Sequence, residues 1–416
     1  MAGMARPHEP STTDPADRPA TYRDVFAVAE FRWLWGALLG SVIGDQLARV
    51  ALAVLVFDRT GSAGLSALTY ALTLLPDIAG GPLLSGLADR YPRRTVMVGC
   101  DVARAGLVGL MAIPGTPLLI LCVLLVAVQL LAAPFQSARI ASMATIMTGD
   151  RYPAAMGVSA ITLQLAQLAG FVAGGTIVAG LGASKALIIN AISFAVSAVV
   201  LRFGIKERPA AAGTEPTAKP SWWGSLSAGA RLVWQNRRLR YLTALICLPG
   251  FYISVEGLAT PYAATLGGGA VAVGVLFAAN PAGNVIGVLF LSRLTPSRRH
   301  ALMGPLAVGA SAPLIGCVFS PGLWATVALW MLSGVCSSYL ITAQTTFVKD
   351  VPDAQRGQVI GLARTALTVS QGVGILAAGV AADSVRPALV VAAAGVLGVI
   401  FASGFAGGYR RADQRG

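Results

Sequence analysis

Four carboxyl groups stand inside stretches of sequence that are otherwise apolar, and chemistry can be argued from them. Glu256 lies in the middle of FYISVEGLATPY, Asp77 follows Pro76, Asp45 precedes Arg49, and Asp101 precedes Arg104. An ionisable group at the centre of a lipid-embedded helix costs about 2.5–3.5 kcal/mol, so such groups face a cavity or a partner. The i, i+4 spacing of Asp45 and Arg49 and the i, i+3 spacing of Asp101 and Arg104 place each pair on one helix face. Both are readable as static buried pairs, the second as a permanent charge cluster near one membrane rim. Asp77 and Glu256 have no cation at helical spacing in their own segments. Removal from water then favours the neutral carboxyl, the property a proton carrier uses. Glu256 and Asp77, followed by Asp45, are the candidates for coupling to protons.

Amides and aromatics accompany these acids. Gln46, Gln129, Gln164, Gln167, Asn280, Asn284 and Gln371 line the same cavity on one reading and join helices by hydrogen bonds on the other. Tyr70, Phe251, Tyr252, Phe277, Trp330 and Tyr339 suit a bulky, partly apolar ligand, or simply helix packing. The substrate-cavity candidates are Gln46, Arg49, Tyr70, Gln164, Gln167, Tyr252, Phe277, Asn280, Asn284, Trp330, Tyr339 and Gln371. Arg364, about two turns inside its segment, either snorkels or binds an anion.

Covalent chemistry finds no footing. A Walker A sequence is absent, so ATP hydrolysis is not the expected energy source. His8 and His300 are the only histidines, and no nucleophile, base and orienter can be assembled from them. Cys100, Cys122, Cys247, Cys317 and Cys336 lack metal-like spacing and fall in apolar segments, so neither a zinc site nor a disulfide framework is expected. The reading is a protein that is not an enzyme and needs no cofactor or metal.

The elements that must hold these residues are membrane helices. With 55% hydrophobic and 12% charged residues and a mean hydropathy of +0.70, the chain is far from the soluble average of about 25% charged. Apolar runs near the 20 or so residues needed to cross a bilayer fall at Trp33 to Phe57, Leu65 to Ala88, Thr95 to Ile113, Leu118 to Ala138, Pro153 to Leu181, Ala183 to Gly204, Tyr241 to Leu266, Ala270 to Leu291, Ala301 to Phe319, Leu323 to Phe347, Gly357 to Ala382 and Pro387 to Gly408. The expected fold class is therefore all-α integral membrane, with twelve transmembrane helices. Met1 to Thr21 is polar and Pro-rich, which does not suit a cleaved signal, so the first helix is expected to stay as an anchor.

The net charge of +13 is explained by orientation rather than by nucleic acid. Arginine and lysine gather in the loops on the side of the two termini, from Arg90, Arg93 and Arg94 to Arg410 and Arg411, while the opposite side keeps only Arg59, Lys185 and Arg386. That bias predicts both termini in the cytoplasm. Residues 1–30 read as a cytoplasmic tail, 31–204 as a first six-helix bundle and 205–240 as a cytoplasmic linker with an amphipathic helix in SWWGSLSAGARLVWQNRRLR. Residues 241–408 read as a second six-helix bundle, and 409–416 as a second tail. The halves repeat: Pro76 and Pro281, Arg93 and Arg298, and Arg94 and Arg299 share an offset of 205 residues, while Gly157 and Gly361, and Gln167 and Gln371, share 204. Duplicated parallel bundles with a binding site between them near the midplane are a secondary-transporter architecture.

GLADRYPRR, Gly86 to Arg94, resembles the loop signature between the second and third helices of the major facilitator superfamily. FRWLWGALLGSVIGDQLARVAL, SARIASM, LIINAISFAVSAVVL and VPDAQRGQVIGLA are similar to the twelve-helix drug-exporter branch that includes macrolide and enterobactin effluxers. Gly86 lets two helices approach closely, Asp89 is favoured by the positive end of a helix, and Arg90, Arg93 and Arg94 can pair with carboxylates or anionic lipid. The resemblance implies that Gly86, Asp89, Arg90, Arg93 and Arg94, with Asp101 and Arg104, form a cytoplasmic gate that latches the halves; the arginines also simply fit the charge bias. Two positions depart from the branch: Phe171 follows Gly170 where exporters often carry proline, and LLILCVLLVAVQLLAAPF lacks an arginine that many proton antiporters place in the fourth helix.

The expected function is a monomeric secondary transporter of the bacterial cytoplasmic (inner) membrane. It exports a hydrophobic or amphipathic small molecule, drug or natural product, by proton antiport with alternating access. Importing or facilitating the passage of a polar metabolite is the alternative.

Overall fold

The computed structural model describes residues 21–76, 90–208, 222–352 and 355–414. Asp77, Gly86 and Asp89 lie outside the described residues. The first half contains α1 (Tyr22–Phe26), α2 (Ala29–Thr60), α3 (Ala63–Ala71), α4 (Arg93–Met111), α5 (Leu118–Leu130), α6 (Ala132–Ile146), α7 (Arg151–Leu181) and α8 (Ala183–Gly204). A connecting helix, α9 (Trp222–Gln235), leads to α10 (Arg237–Cys247), α11 (Pro249–Tyr252), α12 (Ser254–Gly257), α13 (Ala259–Thr265) and α14 (Ala270–Ser292). The second half continues with α15 (Pro296–Gly309), α16 (Ala312–Ile315), a 3-10 turn (Gly316–Phe319), α17 (Leu323–Ser337), α18 (Tyr339–Lys349), α19 (Arg356–Ala382) and α20 (Pro387–Asp413).

Among the described residues, nine helical runs are long and apolar enough to cross a membrane, ten if the bent run from Arg237 to Thr265 counts as one. α4 is not among them because Arg93, Arg94, Asp101 and Arg104 fall within its 19 residues. Large apolar side chains point outward, including Phe203, Phe319, Leu119 and Val380. In a bilayer these outward chains meet lipid, and the fold is an all-α integral membrane bundle of two halves.

Several elements depart from simple spans. The seventh expected span is broken into α10 to α13 and bends by 46°, because Pro249 and Pro261 each remove a backbone donor and Gly250 and Gly257 add no side-chain bulk. Freed carbonyls find partners: Tyr339 Oη donates to Leu245 O at 2.9 Å and Ser254 Oγ to Phe251 O at 2.5 Å. α10 begins at Arg237, capped by Asn236, whose side chain accepts from Arg238 N and Leu239 N. The residues from Arg237 to Arg240, expected in the linker, therefore belong to a bundle helix, and α20 likewise runs on to Asp413.

Helix ends define two faces. α2 starts beside α1 and ends at Gly61, whose φ of +64° and N–H bonded to Phe57 O at 2.8 Å make a left-handed cap. α7 ends at Gly182, whose N–H bonds Val178 O at 2.9 Å but whose φ of +85° and ψ of 162° lie outside the left-handed helical region. These turns lie on the face opposite α1, the far face, where Arg59 Nη1 donates to Thr116 O at 2.8 Å. Two seams join the halves: α7 against α14, and α3 against α19. At the first, a β-carbon placed on Gly274 would lie 2.6 Å from Phe171 O and 2.8 Å from Gly175 Cα, so the helices touch backbone to backbone. At the second, one on Gly379 would lie 3.3 Å from both Ala63 O and Gly64 Cα.

Candidate functional site

The buried acid of the second half meets the first half at its side chain. Glu256, 5% exposed, sits on the short helix α12, and Tyr70 Oη of α3 donates a hydrogen bond to its Oε2 across the seam. The Arg49 guanidinium of α2 lies 5.9 Å from the centroid of the Tyr70 ring and within electrostatic reach of Glu256. Phe277 of α14 stacks on two rings of the first half, on Tyr70 at 5.3 Å and 15° and on Phe171 at 5.2 Å and 17°. An acid, a phenol, a guanidinium and a three-ring stack thus occupy one patch where the halves meet. The breaks around α12 expose Glu256 to this patch instead of burying it along a continuous helix.

A chain of amides continues the seam. Gln164 Nε2 of α7 donates to Asn284 Oδ1 of α14 at 3.3 Å, and Asn284 Nδ2 donates to Ser337 Oγ at 2.9 Å. Gln46 Oε1 and Asn280 Nδ2 are buried without a hydrogen-bond partner among the described residues, which costs stability unless a ligand or water satisfies them. Gln167 and Gln371 are half-buried. Tyr252, Trp330 and Tyr339 are packed inside the second half, edge-on to Tyr339, Tyr262 and Tyr252 respectively.

A second charge group lies wholly within the first half. Arg104, 3% exposed, bonds Asp45 at 3.0 Å, lies 3.7 Å from Asp101, and stacks 4.0 Å above the Phe194 ring. Ser197 Oγ donates to Asp101 Oδ2 at 2.5 Å. The expected pairing of Asp45 with Arg49 is therefore corrected: Asp45 turns to Arg104 of α4 and Arg49 to Tyr70. Sharing a helix face brings two side chains near each other, but stronger partners on neighbouring helices decide where each one goes.

The model of the Major Facilitator Superfamily matches residues 34–312 and 257–415, overlapping parts that together span almost all of this bundle. The chain belongs to the Major Facilitator Superfamily. Within the superfamily it is similar to the multidrug efflux pump Tap of Mycobacterium tuberculosis, 25% identical over 373 residues, or 84% of this chain and 86% of that protein. It also resembles macrolide efflux protein A of Streptococcus pyogenes, 30% identical over 79 residues, 18% of this chain and 20% of that one. Among solved structures, the POT family transporter PepTSo aligns with a TM-score of 0.70 at 12% identity, covering 94% of this chain and 99% of its own. A bacterial homolog of the human lysosomal transporter Spinster, inward-facing and unoccupied, aligns at 0.62 and 15%, covering 92% and 93%.

The superfamily's loop signature is described from Arg90 onward, and Arg90 is exposed. Arg93 donates to Ala141 O at 2.8 Å and Thr145 Oγ1 at 2.6 Å; Arg94 donates to Ile205 O at 3.3 Å and pairs with Glu207. Arg94 thus serves the C-terminus of α8, where a cation is favoured, and Arg93 holds the later part of α6. Asp101 and Arg104, expected at the gate, make the bonds described above inside the first half. The residues that sequence reasoning missed are Phe171, Phe194, Ser197 and Asp383. The last accepts from Ser62 Oγ at 3.0 Å and Gly64 N at 3.1 Å, tying α19 to the start of α3 on the far face. Phe171 carried one signal, its place beside Gly170, Gly174 and Gly175 in a helix that needs close neighbours.

Proposed function

We propose that this superfamily member exports a hydrophobic or amphipathic small molecule in exchange for protons. It would work by alternating access from a bacterial cytoplasmic membrane, with both chain ends in the cytoplasm. The reading is carried by one observation, the bond from Tyr70 across the seam to Glu256. The efflux roles in the names of the relatives support the direction, and the arginine-rich loops on the terminal side support the orientation.

The cycle follows from the geometry. With the far face closed, Tyr70 and Arg49 stabilise the Glu256 carboxylate, because a hydrogen bond to a charged acceptor is roughly twice as strong as a neutral one. Opening the far face withdraws Tyr70 and gives the carboxylate to water on that side, from which it takes a proton. Closing returns the phenol and guanidinium, and the proton leaves toward the cytoplasm. Gln46, Gln164, Asn280 and Asn284 offer polar anchors beside the Tyr70, Phe171 and Phe277 rings, a surface suited to an amphipathic cargo.

Sealed inside-out vesicles loaded with the protein test the reading. An imposed pH gradient is expected to drive uptake of amphipathic drugs, and Glu256→Gln to abolish the gradient-driven part while leaving drug binding. Asp77→Asn forms the second arm. Flux indifferent to the gradient and unaltered in both variants would overturn the coupling, and net movement in the opposite sense would assign import.

A further inference from the structure

The second half holds an apolar groove of about 600 Å³ that the function above does not use. Its floor is the broken seventh span, from Ala244 to Ser254, and its walls are α19 and α20. Small side chains on the walls leave the channel open, Gly374, Ala377 and Ala378 on one and Ala393 and Ala394 on the other. At the floor, a β-carbon on Gly374 would collide with Gly250 O, so α11 lies directly on α19. Phe251, Phe401 and Phe405 close one end, the first two rings stacked at 5.3 Å and 19°. Ala381 and Val390 mark the other end, near the far face.

No charged side chain lines the groove, and its two hydroxyls are engaged: Ser254 Oγ donates to Phe251 O at 2.5 Å and Ser370 Oγ to Leu367 O at 2.7 Å. Cys247 adds only a thiol, which packs as a small apolar group. A buried water needs roughly two to four polar partners, so neither water nor a polar solute is held here. The outer edges, Val373, Leu397 and Phe401, are exposed on helices that cross the bilayer, and hydrocarbon is what adjoins them. Size narrows the occupant further. From Val390 to Phe405 the α20 wall is about 22 Å long at about 1.5 Å per residue. Spread over that length, the volume gives a cross-section of about 30 Å², against about 80 Å² for a helix about 10 Å across. The helix of a second copy is too wide. One acyl chain, reaching about 15 Å into a hydrocarbon core of about 30 Å, is not.

We infer that the groove holds one acyl chain of a bilayer phospholipid, which enters from the far-face leaflet between α19 and α20 and points its end toward Phe251 and Phe401. A chain lodged there touches protein on three sides, whereas an unfilled groove forfeits those dispersion contacts. The occupant also backs the segment that carries the buried acid. Ser254 faces the groove, and Glu256, two residues on and so roughly on the opposite side of a helical turn, faces Tyr70. The lipid chain is thus a wedge that supports the bent span from behind. The inference requires only that the protein lies in a bilayer, and it survives failure of the proton reading.

The purified full-length protein in phosphatidylcholine nanodiscs, a fraction of whose lipid carries a diazirine on the acyl chain, gives the test. Irradiation is expected to label the floor, residues 247–254, where Leu248 and Ser254 are buried from lipid that merely surrounds the protein. Ala394→Phe, which fills the groove, should cut floor labelling about tenfold, the loss expected when about 1.4 kcal/mol of binding is removed. Ala377→Leu, a milder filling, should cut it in part and guards against misfolding of the first variant. Val380→Phe, exposed on α19 outside the groove, should leave it unchanged. In detergent, added phosphatidylcholine should raise the unfolding temperature of the unaltered protein more than that of Ala394→Phe. Labels confined to outward residues of α19 and α20, floor labelling unchanged in both filling variants, or an equal rise in unfolding temperature would overturn the inference. Displacement of the floor label by the amphipathic dye rhodamine 6G would also overturn it and reassign the groove to cargo.

Discussion

Arg104 pairs with two carboxylates and covers an aromatic ring, so three helices of the first half depend on one side chain. Removing one partner of a buried charge group costs about 3–5 kcal/mol, because the others are left uncompensated. Arg104→Leu is expected to lower the unfolding temperature sharply, and Arg104→Leu with Asp101→Asn to recover part of it, measured by thermal unfolding in detergent. The i, i+3 spacing made Asp101 and Arg104 legible as a pair. Asp45 was not legible as their third member, since face arithmetic sees only one helix at a time. Outside the spans, Asp350 lies 2.8 Å from the Arg238 guanidinium as an ion pair, yet burial pushes its carboxyl above the ordinary value of 3.8. A carboxyl raised on folding binds its proton more readily in the native state. Its contribution is complete below pH 3.8 and is lost as pH rises through the shifted value. Asp350→Asn should flatten the unfolding temperature in that window, with Arg238 still held by Asp413 at 3.2 Å.

Among the elements, the crossing of α7 and α14 is the contact with least slack. A side chain at Gly274 would press on the backbone of Phe171 and Gly175, and interiors packed this closely move rather than compress. Gly274→Val should therefore prise the far face apart. A cysteine introduced at Ser62 is the reporter, and its labelling by a membrane-impermeant thiol reagent from the far side is expected to rise. Hydropathy located the helices because lipid demands about 20 apolar residues of each. It did not reveal the 46° bend at α12 and α13, since proline and glycine leave apolar content intact while removing hydrogen bonds and bulk. That bend brings Glu256 to Tyr70, so the presence of a buried acid was legible and its partner was not.

Across the whole molecule, the two seams are counterparts: α7 against α14 and α3 against α19 each pair one helix of one half with one of the other. The repeat in the sequence consists of weak matches at nearly constant offset. It did not anticipate which face would be shut, because hydrogen bonds between the halves join residues from 120 to 321 positions apart. Asp383 fastens that face with bonds to Ser62 and Gly64. Asp383→Ala is expected to lengthen the average far-face distance between spin labels on α3 and α19 and to leave the ends of the first half unmoved.

Phe277 adds a direction to that motion. A plate stacked on two others resists being pulled off squarely, since both stacking contacts, each about 0.5–1.5 kcal/mol, vanish together. Slipped out along its own plane, it surrenders overlap gradually. A bundle parting at this seam would therefore do so most easily by a glide parallel to the rings of Tyr70 and Phe171, less like a pair of jaws than like a drawer.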